Sequence, residues 1–121
     1  MENRIQRGNF DETSVDHRGW VLGHFIEKNS PLHSTDLEIK WSRHKKGEKK
    51  EKPAQNKSAK TLFVLFSGKI KFVFPDHLAE EILEKQGDYI YYDPGVNHAW
   101  EVMEDCLAIN VRWPSLQNDQ V

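Results

Sequence analysis

The stretch Gly87–His98, which reads GDYIYYDPGVNH, decides the fold of this chain. Its aromatic and branched residues Tyr89–Tyr92 favour a strand that begins after a Gly-Asp turn. The sequence Asp93–Gly95 (DPG) then predicts a tight reversal, because proline fixes its own φ and glycine accepts a positive φ. The reversal places His98 at the start of the next strand. The stretch therefore predicts two strands with a histidine at their junction.

Short strands joined by short turns account for most of the remaining sequence. The alternation of apolar and polar residues in Leu37–Arg43 is typical of a half-buried strand whose inner face carries Ile39 and Trp41. Ser67 and Gly68 predict a hairpin turn between two apolar runs. Further predicted strands are Trp20–Phe25, Thr61–Phe66, Lys69–Phe74, His98–Met103 and Cys106–Arg112. A pattern of about eight short strands with no clear helix predicts an all-β sandwich or barrel.

The length of 121 residues predicts one domain, with residues 1–17 as an N-terminal arm, 18–114 as the barrel and 115–121 as a tail. Hydrophobic residues make up 37% and aromatic residues 11% of the chain, which is enough apolar material to exclude full disorder. No apolar run approaches the roughly 18 residues of a membrane span, and the first residues lack the apolar segment of a secretory signal. The single cysteine, Cys106, is interpreted as a packing residue, and we expect a cytoplasmic protein.

Basic residues concentrate between residues 40 and 60. This segment holds nine of the seventeen lysines and arginines but only two acids, although the whole chain has a net charge of −2. The low hydrophobicity of residues 45–60 predicts a solvated connection between strands. Arginines and interleaved aromatic residues are few, so nucleic acid is not an expected partner. An interaction module that uses this basic 40–60 segment is one alternative interpretation of the protein.

The pattern around His98 resembles the second conserved motif of the cupin superfamily, G(X)5PXG(X)2H(X)3N. Gly87, Gly95 and His98 match this motif, whereas the first proline and the terminal asparagine are replaced by Asp93 and Val102. The resemblance covers residues 20–114 and implies a jelly-roll, or double-stranded β-helix, barrel of antiparallel strands. It also implies that residues 80–83, whose sequence fits a helix or a strand equally, form a strand. A homodimer is a further expectation from the resemblance.

Metal-binding cupins supply three further ligands from a first motif, G(X)5HXH(X)3,4E(X)6G. Aligned on Gly68, this motif places Pro53 and Gln55 at its histidine positions and Thr61 at its glutamate position. His98 is then the one motif ligand that is present. A protein-bound transition metal usually needs three or four nitrogen, oxygen or sulfur ligands. We therefore expect no cofactor, and a divalent metal held through His98 is the less favoured alternative.

Strand alternation also predicts which residues line the barrel. The expected pocket residues are Trp41, Gln55, Thr61, Phe63, Tyr91, His98 and Trp100. His44 lies on the strand face opposite Trp41, so an inward Trp41 requires His44 to point outward. Aromatic walls with a few polar groups are typical of a small-molecule site, although the same side chains would also fill a small barrel.

Two functional hypotheses follow from this pocket. The leading hypothesis is a small-molecule-binding or accessory protein without the usual cupin metal site. The alternative is a cupin enzyme of the isomerase, lyase or dioxygenase type, with a rearranged metal site or with His98 as its general base.

Overall fold

Strands make up about half of residues 5–121, the part of the chain that the computed structural model describes. The seven strands in this part are Trp20–Leu22 (β1), Glu38–His44 (β2), Lys49–Ala54 (β3), Lys60–Phe74 (β4), Ala79–Leu83 (β5), Tyr89–Tyr92 (β6) and His98–Trp113 (β7). The helical elements are Phe10–Thr13 (α1) and the 3-10 turns Ser14–His17 and Pro75–His77. None of these helical elements has the length and apolar character that crossing a membrane requires.

Two long strands form the spine of the barrel. β4 and β7 pair antiparallel from Lys60 opposite Trp113 to Val73 opposite Ala99. β2 pairs with the C-terminal part of β7, and β6 pairs with the N-terminal part of β4. β3 and β5 pair with the other halves of β7 and β4. Each long strand therefore belongs to two layers, which is the double-stranded β-helix arrangement, and the predicted all-β jelly roll is confirmed.

The predicted hairpin at Ser67 and Gly68 is wrong, as is the predicted separation of the strands His98–Met103 and Cys106–Arg112. β4 and β7 continue through these positions, where their pairing register shifts on both sides of Ser67. Gly68 has a φ of 96°, and a Cβ atom there would lie 2.2 Å from the Asp105 carbonyl oxygen. The glycine thus permits a bulge at which both strands bend from one layer into the other.

Residues 45–60 contain a strand, not only the predicted connection. Lys50 of β3 lies opposite Trp100 of β7, and Ala54 lies opposite His98. β3 pairs only with β7 among the described strands, so it is an edge strand, and charged side chains are common on such strands. The lysines of β3 lower the hydrophobicity of residues 45–60, and for this reason the sequence pattern did not predict a strand there.

Both ends of the described chain fold onto the barrel, although the sequence predicted an arm and a tail; residues 1–4 of the arm lie outside the described part. Asn9 caps α1, and Asp11 accepts hydrogen bonds from Trp41 Nε1 at 2.8 Å and Arg43 Nε at 2.9 Å. At the other end, Val121 exchanges two backbone hydrogen bonds with Gln55, of 2.9 and 2.8 Å. The C-terminal segment thus adds a short bridge beside β3.

The hydrophobic core lies between the two layers. Its buried residues are Phe63, Leu65, Ile70, Phe72, Phe74, Leu83, Tyr92, Val102, Cys106 and Ala108. The rings of Phe63 and Phe72 meet edge to face with centroids 5.0 Å apart. Burial raises the pKa of the Cys106 thiol, as expected for a packing cysteine in its un-ionised form. This core forms the floor on which the polar half of the interior rests.

Candidate functional site

A cavity of about 150 Å³ lies inside the barrel, between its two layers. Its lining residues are Trp20, Lys40, Ser42, His44, Lys50, Asn56, Phe63, Ile70, Phe72, Tyr92, His98, Trp100, Asn110, Arg112 and Gln120. Four of these residues, Phe63, Ile70, Phe72 and Tyr92, belong to the hydrophobic core. Most of the others carry hydrogen-bonding groups or positive charge, so the cavity has an apolar floor and polar walls.

The face of β2 that points inward is the polar one, opposite to the prediction. Lys40, Ser42 and His44 line the cavity. Trp41 instead packs on the outside between Phe10 and Phe66, with ring centroids 6.0 and 5.9 Å away. The predicted alternation is correct, but its polarity is reversed, because α1 covers the apolar face of β2 from outside. Trp41 is therefore not a pocket residue.

His98 lies in the wall of the cavity at the first residue of β7. The preceding turn forms as predicted, with Gly95 at a φ of 81° and its N–H donating to the Asn56 carbonyl at 2.8 Å. His98 is 3% exposed, and its Nδ1 lies 3.2 Å from the Val96 carbonyl. Since a carbonyl only accepts, Nδ1 carries the hydrogen and Nε2 keeps its lone pair. Burial lowers the pKa of His98, so the imidazole is neutral at neutral pH.

Arg112 approaches the cavity from a buried ionic network. Its Nε lies 3.0 Å from Glu38 Oε2, without the alignment of a directed hydrogen bond. The Ser115 hydroxyl donates to Glu38 Oε1 at 2.8 Å and lies 2.7 Å from Nδ1 of His24. Glu38 and Ser115 are 6% and 1% exposed. This network fixes the carboxylate of Glu38 behind Arg112 and leaves the far side of the guanidinium facing the cavity.

Three positively charged side chains face the same cavity. Lys40 and Arg112 come from one layer of the barrel, and Lys50 of β3 comes from the other. Burial lowers the pKa of Lys40, and the nearby charges of Arg112 and Lys50 lower it further. Burial also lowers the pKa of Arg112. Loss of hydration and mutual repulsion therefore both disfavour the positive charges of the side chains that line this cavity.

Four buried side-chain polar atoms have no hydrogen-bond partner within residues 5–121. They are Asn56 Oδ1, Thr61 Oγ1, Asn110 Oδ1 and Arg112 Nε. Leaving such a group unpaired costs about 1–3 kcal/mol, so most buried polar groups in folded proteins are satisfied. Asn56 and Asn110 line the cavity, whereas Thr61 does not and Arg112 Nε lies beside Glu38 Oε2, so the two asparagine oxygens are the unpartnered atoms that belong to the cavity wall.

The first-motif alignment is displaced by one residue. Ala54 and Asn56 are buried, whereas Gln55 is half-buried and uses its backbone to pair with Val121. Asn56, not Gln55, is therefore the polar residue that lines the cavity. Thr61 is 1% exposed and lies opposite Tyr92 on the neighbouring strand.

The residues around His98 do not fit a divalent metal ion. The residues aligned with the other motif ligands, Pro53, Gln55 and Thr61, are uncharged, and so are the buried neighbours Ala54 and Asn56. Within residues 5–121, no three His, Cys, Asp or Glu side chains are grouped closely enough to hold a metal. Lys40 and Arg112 face the same space and would repel a cation. This donor set favours hydrogen bonding instead of coordination.

The remaining predicted pocket residues divide between the cavity and the surface. Phe63 and Trp100 line the cavity with His98. Tyr91 lies outside, where its hydroxyl donates to Asp93 Oδ1 at 2.7 Å. The sequence analysis missed Lys40, Lys50, Arg112 and Asn110 as lining residues. The sequence pattern assigned Lys40 and Lys50 to the basic 40–60 segment. Only the strand alternation around these lysines indicates the side of the strand on which their side chains lie.

A second cavity, of about 200 Å³, adjoins the first. Trp20, Asn56, Arg112 and Gln120 line both cavities. His24, Glu38 and Asp119 line only the second. His24 therefore lies in the wall of the second cavity. His44, which the sequence predicted on the outer face, lines the first cavity together with His98.

Comparison with known proteins identifies the fold. The structure is similar to an uncharacterised conserved protein with a double-stranded β-helix domain from Klebsiella pneumoniae, with a TM-score of 0.66, 17% identity and coverage of 99% of this chain and 96% of that one. A cupin-2 domain protein from Shewanella frigidimarina has a TM-score of 0.55 and 17% identity, with 85% and 90% of the two chains covered. No protein-family model matches the sequence, and no curated protein matches it.

The similar structures include proteins that are named as enzymes. The DMSP lyase DddQ from Ruegeria pomeroyi has a TM-score of 0.65 and 18% identity over 95% of this chain. The match spans 58% of the length of DddQ. At such identities the likeness shows the fold alone, and that fold is the cupin double-stranded β-helix.

Proposed function

We propose that this cupin-fold chain binds a small polar molecule inside its barrel through hydrogen bonds, without a metal ion held by the usual cupin ligands. The observation that carries the proposal is the pair of unpartnered buried atoms Asn56 Oδ1 and Asn110 Oδ1, whose residues line one cavity. A bound molecule supplies the missing partners and recovers the free energy that these unpaired atoms cost.

The size of the cavity limits the size of its contents. A volume of 150 Å³ resembles that of cavities known to hold one benzene-sized molecule, of about six to eight non-hydrogen atoms. The apolar floor of Phe63 and Phe72 supports the body of such a molecule, and the polar walls orient it. Burial raises the pKa of Tyr92 to about 12, so its phenol stays protonated beside the ligand.

The second candidate is catalysis with His98 as a proton acceptor. Its neutral imidazole leaves Nε2 free, and the Tyr92 ring lies 4.4 Å from the imidazole ring. His44 supplies a second ionisable group in the same wall, and burial lowers its pKa as well. An activity of this kind requires that a bound compound be converted by the native protein and left unchanged by the His98→Gln variant.

The four tryptophans allow a direct test of binding. Trp20 and Trp100 line the cavity, whereas Trp41 and Trp113 do not. We expect polar molecules of about six to eight non-hydrogen atoms to shift the indole N–H signals of Trp20 and Trp100 in nitrogen-15 NMR spectra. Shifts of all four signals alike, or of none, would remove the proposed site.

A variant of Asn110 separates binding from folding. Asn110→Leu removes the unpartnered Oδ1 while keeping a similar volume, so it should raise the free energy of unfolding of the empty protein by about 1 kcal/mol. The same variant should lose the ligand-induced shifts. Gln86→Leu, at an exposed turn position, is the control and should change neither. Unaltered binding by Asn110→Leu would contradict the proposed orientation of the ligand.

A further inference from the structure

We infer that the molecule held in the barrel is a small organic anion whose oxyanion group is bound by Arg112, Lys40 and Lys50. This inference rests on the proposed function and names the chemistry of its ligand. It follows from the sign of the charges around the cavity, from the free donors of Arg112 and from the size of the space.

The charges that line the cavity all have one sign. Lys40, Lys50 and Arg112 face the interior, and no aspartate or glutamate of the described part of the chain lines the cavity. Glu38 lies on the other side of Arg112, in the wall of the second cavity. Within residues 5–121 neither Lys40 nor Lys50 makes a salt bridge. The buried carboxylates of Glu38 and Asp119 both lie in the wall of the second cavity, so three cations face the first cavity without an acidic side chain, and a bound anion would balance them.

Arg112 is oriented as an anion-binding group. Its Cζ lies 4.2 Å from the centre of the Trp20 ring, which covers one face of the guanidinium. Nε faces Glu38, and the side chain makes no aligned hydrogen bond to another side chain within the described residues. The terminal amino groups are thus left as a planar pair of donors, the geometry that matches the two oxygens of a carboxylate or phosphate.

The other cations reach the same space from different strands. Lys40 lies opposite Asn110 on β7, two residues before Arg112 along that strand. Lys50 lies opposite Trp100 in the other layer. An oxyanion between the layers would therefore meet donors from both sides, with the aromatic ring of Trp100 beside its carbon skeleton. The volume of about 150 Å³ favours an acid of about six to eight non-hydrogen atoms.

Matched acids and amides test the inference. The probes are lactate and pyruvate, their neutral counterparts lactamide and pyruvamide, and, as a second oxyanion source, inorganic phosphate and methyl phosphate, all at constant chloride concentration. We expect the acids to shift the Trp20 and Trp100 indole signals and the amides to bind at least about tenfold more weakly. A preference for phosphates over carboxylates would identify the phosphate group as the bound oxyanion.

Lysine variants supply the second measurement. Lys40→Gln should weaken binding of the preferred anion by about tenfold, as expected for the loss of one charged contact. Lys52→Gln removes an equal charge from an exposed position and should leave the affinity unchanged. Equal losses of affinity in both variants would show that binding depends only on the net charge of the protein, and this result would overturn the inference.

The outcomes separate the two proposals. If the amides bind as tightly as the acids, the inference of an anionic ligand is wrong, whereas the proposed small-molecule site is supported. If none of the acids, amides and phosphates shifts the cavity tryptophans, the anion inference fails. If the wider panel of polar molecules also leaves them unmoved, the proposed function fails with it.

Discussion

The guanidinium of Arg112 lies over the Trp20 indole, with Cζ 4.2 Å from the ring centre. This contact joins the first strand of the barrel to the last one. A cation over an aromatic face is stabilised by the ring quadrupole, and the effect grows when water is excluded. Trp20 also packs against Phe25 with ring centroids 5.6 Å apart, which holds the indole in place. The short β1 thus positions the charged group that we assign to ligand binding.

Removal of the Trp20 ring should release Arg112. Trp20→Ala is expected to lower the free energy of unfolding by about 2 kcal/mol, because a half-buried aromatic contact and a cation–π contact are lost together. Anion affinity should fall in the same variant. Trp20→Phe keeps a ring and should recover most of both quantities. Urea unfolding and anion titration give the measurements, with Trp113→Ala as the control outside the cavity; a full anion affinity in Trp20→Ala would argue against the positioning role.

Glu38 should stabilise the fold through Arg112. Glu38→Gln keeps an oxygen that accepts from Ser115 but leaves the guanidinium without its counter-ion, so we expect a loss of about 2–4 kcal/mol in the free energy of unfolding. The double variant Glu38→Gln with Arg112→Met should be more stable than the sum of the two single losses predicts. Chemical denaturation of the four proteins measures the coupling, and additive losses would show that the two side chains act independently.

The buried His98 should make the fold sensitive to acid. Its pKa in the folded protein is below the ordinary value of 6.5, chiefly because burial disfavours the charged form. The unfolded chain then binds more protons as the pH falls below 6.5, so stability is complete above that pH and is lost as the pH decreases through the range below it. His98→Gln should flatten this part of the pH–stability curve, measured by denaturation between neutral and mildly acidic pH. His77→Gln, at an exposed position, should keep the native slope; a native slope in both variants would place the acid sensitivity elsewhere.

Turn chemistry explains why the fold was predictable. Asp93–Gly95 specifies its reversal through local backbone preferences, and both the strand Tyr89–Tyr92 and the strand at residues 79–83 form beside it. Such signals depend on a few neighbouring residues and survive in a single sequence. The long strands were harder to predict, because a glycine such as Gly68 is typical of a β-bulge as well as of a hairpin turn. The structure has the bulge.

The site was less predictable for a different physical reason. Hydrophobicity identifies the inner face of a strand only when the interior is apolar. In β2 the inner face carries Lys40 and Ser42, and the outer Trp41 is covered by α1 instead. The sequence therefore predicted the inner face of β2 as its outer face, and the outer face as its inner one. His98 was found because its position depends on the turn and not on an assumption about the core.

The C-terminal segment should stabilise the wall of both cavities through Asp119. This carboxylate is 9% exposed and accepts from the backbone N–H groups of Ser58 at 2.9 Å and Ala59 at 3.0 Å. It also accepts from Asn56 Nδ2 at 3.3 Å, and the adjacent Gln120 lines both cavities. Asp119→Ala leaves these donors unpaired, so the free energy of unfolding should fall by about 2–3 kcal/mol. Hydrogen exchange at Ser58 and Ala59 should accelerate in the same variant, whereas Asp36→Ala at an exposed position should change neither quantity. Unchanged exchange at these two amides would show that the segment is held by its backbone hydrogen bonds with Gln55 and Lys57.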